Sequence, residues 1–116
     1  MDLKTFYGVV GGNYGLALER MMTEDRTKKY LRRYGGYVDL EGLEKAVAES
    51  DGRKIFEISH NVKGMCLNLE LCSVGGSASA LCENVRNTPP DENTPKLFEK
   101  FKEDHEHAIA LIGQLD

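Results

Sequence analysis

The stretch RKIFEISHNVKGMCLNLELC, residues 53–72, decides the fold. Wound at about 100° per residue, its apolar side chains gather on one side. Ile55, Ile58, Val62, Met65, Cys66, Leu69 and Cys72 fall within about a third of the circumference, which is the core stripe of an amphipathic helix. His60 falls opposite the centre of that stripe, so it is expected to face solvent or a partner. The same helical period recurs in nearly every other segment, and strand-like alternation does not. The expectation is an all-α chain.

Outward from this helix the punctuation is clear. Asp51-Gly52 is a turn before it, and the segment Asp39 to Glu49 reads as a helix with Leu40, Leu43, Ala46 and Val47 inward. A helix is expected from Thr23 to Tyr34, closed by Gly35-Gly36, with short helices near 2–9 and 13–21 around Gly11-Gly12. Downstream, the 53–71 helix gives way to one opened by Gly75-Gly76 that carries Ala78, Leu81, Cys82 and Val85. All three prolines, Pro89, Pro90 and Pro95, fall in one loop interval. Thr94 and Pro95 suit the cap and first position of a final helix. Its stripe is Leu97, Phe101, Ala108, Leu111, Ile112 and Leu115. The whole reads as one domain over 1–116, with short helices at about 1–22 and the main helical body at about 23–116.

Composition agrees with a folded globular chain. The 116 residues are 41% hydrophobic and 29% charged, with a net charge of −4. A nucleic-acid binder is disfavoured, since that would require a basic face. The one basic cluster, Lys28, Lys29, Arg32 and Arg33, reads as a solvated helix face. No signal-peptide run opens the chain, and no segment has the length to cross a membrane. A cytoplasmic protein is expected, with Cys66, Cys72 and Cys82 as reduced, mostly buried thiols. Gly8 to Gly15 lacks the Gly-Lys-Ser/Thr end of a phosphate-binding loop, and it reads as a linker.

The outward face of the 53–71 helix carries the candidate chemistry. Lys63 and Gly64 lie three and four residues after His60 and share its face. Phe56 and Leu67 also point outward, one turn before and two turns after. A glycine inside a helix costs roughly 1 kcal/mol relative to alanine, so a benefit should offset it. Close approach of another protein to the imidazole is such a benefit. A neutral imidazole is nucleophilic near neutral pH, and attack on a phosphoryl group would give a phosphohistidine. Lys63 is then placed to neutralise phosphoryl oxygens.

Ser59-His60-Asn61-Val62-Lys63-Gly64 resembles the H-x-x-K-G signature of histidine-containing phosphotransfer (HPt) domains, with an apolar residue before the lysine. Leu43 to Asp51 looks like the helix and acidic turn that precede it in that family. Asn68-Leu69 and Leu81-Cys82-Glu83 look like later family segments. The resemblance spans about 38–88, and the final helix fits by position. It departs at Ser59, where many members have Ala, and at Glu70, where many have Gly.

This resemblance implies an antiparallel four-helix bundle with short N-terminal helices. It implies a phosphorelay intermediate that accepts a phosphoryl group on His60 from a receiver-domain aspartate or a hybrid sensor histidine kinase. Lys63 would support the phosphate, Gly64 would admit the receiver, and Phe56 and Leu67 would bind it. The partner is a response-regulator receiver domain, and the carrier is expected to be a monomer. No cofactor is expected on this chain; magnesium would belong to the receiver. The rival reading is a non-catalytic bundle that binds a receiver or other partner through the same face without phosphorylation. A metal site is disfavoured. His105 and His107 point about 200° apart on a helix, and His105 reads as a boundary residue.

Overall fold

Five helix starts are set by side chains. Asp2, Asn13, Thr23, Asp39 and Asp51 each accept a hydrogen bond from the backbone N–H three residues on, at 2.8–3.1 Å. Each bond satisfies a donor that the first helical turn leaves without a partner. A computed structural model describes all 116 residues as helices and connecting turns, with no strand. The helices are α1 (Leu3–Val10), α2 (Tyr14–Met21), α3 (Glu24–Tyr37), α4 (Leu40–Ala48), α5 (Gly52–Leu69), α6 (Cys72–Asn84) and α7 (Thr94–Ile112).

Packing follows the apolar stripes. α5 packs on α4 and α6, and α7 packs on α4 and α6, so these four close a ring. α3 lies against α5 and α7, while α1 and α2 cover one end. One continuous core draws on all seven helices, with Phe6, Leu31, Leu43, Ile55, Leu81 and Phe101 among its fully enclosed members. The molecule is elongated, about 41 × 22 × 20 Å.

Several expectations need correction. Gly35-Gly36 does not end α3, which runs to Tyr37. A Cβ on Gly35 would sit 2.8 Å from Ile109 Cδ1, so that glycine lets α3 lie close against α7. Gly75-Gly76 does not open α6 either; the helix starts at Cys72. A Cβ on Gly75 would come within 3.1 Å of Cys66 Cβ, where α6 presses on α5. Cys72 therefore leaves the α5 stripe and is exposed, whereas Cys66 and Cys82 are buried. In α7, Phe98 is buried and Leu97 only half-buried. Thr94 is the first helical residue instead of the cap, with its hydroxyl donating to Asn84 Oδ1 at 2.6 Å.

The α5 helix stops at Glu70, whose backbone is left-handed (φ 55°). Such a conformation costs a side-chain-bearing residue roughly 1–2 kcal/mol, and glycine nothing. Glu70 therefore stands at a position whose backbone favours glycine. Glu70 is compensated by its carboxylate. Oε2 pairs with Arg20 at 3.0 Å, and Oε1 accepts from the Asn13 N–H at 3.2 Å.

His105 is buried and is not a boundary residue. Its Nδ1 is 2.8 Å from the Tyr34 hydroxyl, joining α7 to α3 inside the core. With Nδ1 unprotonated the hydroxyl donates to it, and burial holds the His105 pKa below its ordinary 6.5. Burial also pushes the Cys66 thiol up to about 12, so it stays protonated. For His105 the unfolded chain takes up a proton below 6.5 while the folded chain resists it. Stability from this pair is thus complete above 6.5, and it declines as pH falls towards the lower folded value. Melting temperature should drop between pH 7.5 and 5.5. The Tyr34→Phe/His105→Phe double variant, which removes both partners together, should flatten that slope. An equal slope in both proteins would refute the assignment.

Candidate functional site

α5 carries the candidate site because its two sides have different neighbours. Ile55, Ser59, Val62, Cys66 and Leu69 are buried. His60, Asn61, Gly64 and Leu67 are exposed. Ser59 is enclosed, and its hydroxyl donates back to the Ile55 carbonyl at 2.7 Å. The serine therefore satisfies itself within the helix and leaves the next residue, His60, free on the surface.

The His60 ring is not isolated. It stacks on Phe56 at 5.5 Å with an interplanar angle of 12°. Phe56, expected to point outward, is half-buried and packs on the core edge. It therefore acts as a shelf under the imidazole more than as an open docking contact. The Arg86 guanidinium lies 5.2 Å from the centre of the Phe56 ring, a cation–π arrangement. Leu67 is 61% exposed, the larger apolar contact of the two.

Lys63 is half-buried at the α5–α6 edge and forms no ion pair. With Leu67, Gly76 and Ser79 it lines a groove of about 270 Å³ between the two helices. A Cβ on Gly64 would meet nothing within 4 Å. No part of this fold requires a glycine there, so its cost in helix propensity is uncompensated by packing within the chain.

Acidic groups near this face are engaged. Glu83 pairs with Arg86 at 2.8 Å, and Glu57 with Arg53 at 3.3 Å. Arg86, and to a lesser degree Lys63, hold the Glu83 carboxyl below the usual carboxylate range. The face thus offers an exposed imidazole, an unpaired ammonium and a guanidinium. Their chemistry suits an anionic group brought from outside. No group of three or more His, Cys, Asp or Glu side chains converges as metal ligands do.

In comparisons with protein-family models, curated proteins and solved structures, nothing matches this chain. The candidate site stands on its own geometry. The structure brings His60, Phe56, Lys63 and Gly64 to one side of α5, with Leu67 two turns along. Sequence reasoning missed Arg86 and Glu83. Their acid–base pair at i, i+3 was visible as a local motif, but its crossing to Phe56 depends on how α6 lies against α5.

Proposed function

We propose that this chain is a phosphorelay intermediate that accepts a phosphoryl group on His60 and passes it on. The observation that carries the reading is the exposed His60, seated on Phe56, with open space over Gly64 one turn later. On this reading the chain from about residue 23 to 116 forms an antiparallel four-helix bundle of the HPt kind, with α1 and α2 as short N-terminal helices. It works in the cytoplasm as a monomer. The donor is a receiver-domain phosphoaspartate, directly or within a hybrid sensor kinase, and the acceptor is a response-regulator receiver domain.

In the transfer, the unprotonated ring nitrogen of His60 attacks phosphorus in line. The nitrogen–phosphorus bond forms as the bond to the aspartyl oxygen breaks, and the electron pair leaves with the carboxylate. Lys63 neutralises charge on the equatorial oxygens, where phosphoryl transfer is most sensitive to electrostatic stabilisation. The Phe56 shelf limits ring orientations and so reduces the entropy lost on alignment. The chain holds no energy source for the step, so transfer runs in either direction. Magnesium would be supplied by the receiver.

The direct test is incubation with phosphorylated receiver domains, followed by transfer of label to this chain. Failure across a panel of receivers that still bind the His60 face would favour docking without phosphorylation.

Gly64 separates stability from function. Gly64→Ala should raise stability by roughly 0.5–1 kcal/mol, because a Cβ meets nothing and helix propensity improves. The same change should slow transfer from a receiver, and Gly64→Gln should slow it more. Higher melting temperature with unchanged transfer rates would refute the close-approach role.

A further inference from the structure

A second surface lies on another flank of α5, away from His60. Residues of α2, α3 and α5 enclose a groove of about 230 Å³. Tyr34 forms part of its floor, with Met21, Tyr30, Tyr37, Met65 and Leu69 around it. Tyr37 is 64% exposed and Tyr30 36%. Asn68, uncharged, is its only other lining residue.

The charged side chains on the α3 stripe that borders this groove are basic. Arg26, Tyr30, Arg33 and Tyr37 follow the i, i+4, i+7, i+11 spacing of one helical stripe, with Lys29 at its outer margin. Arg26, Lys29 and Arg33 are exposed, and none forms an ion pair. No acidic residue lines the groove. A chain of net charge −4 thus concentrates unpaired positive charge beside its tyrosine- and methionine-lined cleft.

We infer that this groove is a docking site for an acidic amphipathic helix of a partner protein. Apolar side chains of such a helix would seat between the tyrosines and methionines. Its carboxylates would meet Arg26, Lys29 and Arg33. Tyrosine supplies binding energy at low entropic cost, and methionine adapts its shape to an inserted side chain. Complementary charge steers the encounter and fixes orientation. The concave lining favours an inserted helix over an anionic membrane, which would need protruding apolar side chains. The inference is independent of phosphate chemistry at His60.

The test uses a synthetic amphipathic Leu/Glu helix as probe, with a Leu/Lys helix of the same pattern as control. Amide and methionine-methyl NMR shifts report where it binds. The Leu/Glu helix should perturb Tyr30, Tyr37 and Met65 and leave His60 unmoved. Arg26→Glu/Arg33→Glu should weaken binding by about tenfold or more, as should Tyr37→Ala. These positions are exposed, and circular dichroism verifies that each variant is folded. Equal binding of the Leu/Lys helix, no perturbation at the groove, or an unaffected charge-reversal variant would overturn the inference. Binding of phosphatidylserine vesicles in place of the Leu/Glu helix would overturn it in favour of a membrane surface.

Discussion

His60→Gln should abolish phosphoryl uptake while leaving helicity, melting temperature and receiver binding close to wild type. The side chain is exposed and its backbone lies mid-helix, so glutamine satisfies the same local geometry. Only stacking on Phe56 is lost from the fold, at a cost of about 1 kcal/mol or less. The nucleophile, by contrast, has no substitute. His105 is sealed in the core against Tyr34, and His107 lies on the exposed side of α7. The measurement is label transfer from a phosphorylated receiver, with circular dichroism and receiver titration beside it. Transfer that survives the substitution would remove His60 from the mechanism. Lys63→Ala should slow transfer without abolishing it, since it removes a charge and leaves the nucleophile.

The largest effect on stability is expected at Gly12→Ala. A Cβ there would lie 2.0 Å from the Glu70 carbonyl oxygen and 2.8 Å from the Tyr7 ring. Neither neighbour can step aside cheaply. Glu70 is the left-handed residue that ends α5, and the Tyr7 hydroxyl donates to the Leu69 carbonyl at 2.8 Å. Ser73 ties the same junction from α6 by donating to the Val10 carbonyl at 3.1 Å. Overpacking of this kind costs about 1–3 kcal/mol, and more where backbone must move. Gly36→Ala is the matched contrast, because a Cβ there meets nothing within 4 Å. It should be neutral or stabilising by up to ~1 kcal/mol. Denaturant midpoints of the two variants should therefore move in opposite directions, or only the Gly12 midpoint should fall. Equal midpoints would refute the close seating of the α1–α2 turn on the end of α5.

What was legible in the sequence was whatever depends on one helix at a time. The α5 stripe and the exposure of His60 follow from a 3.6-residue period, whereas Asp51, which reads as part of a turn, proves to be the cap of α5. The chemistry of the face, an imidazole with a lysine and a glycine one turn on, was legible for the same reason. What was illegible depends on a second helix. Gly35 and Gly75 look like breakers in isolation, yet each marks a close approach within a continuing helix. His105 sits one turn after Phe101 on the buried side of α7, but its enclosure depends on Tyr34 arriving from α3. Phe56 falls on the outward half of α5, and only the approach of Arg86 and the neighbouring core converts it into a shelf. The left-handed backbone at Glu70 is compensated by Asn13 and Arg20, fifty or more residues earlier, which no local pattern around Glu70 displays.

The central claim is that His60 carries phosphate. Its most direct test is to map the phosphoryl group on the wild-type chain after exposure to a panel of phosphorylated receivers, and to follow its lability in acid and base. The account predicts a single modification on His60, lost in acid and stable in base. Phosphate on a serine, threonine or carboxylate, or none acquired from any receiver in the panel, would contradict it.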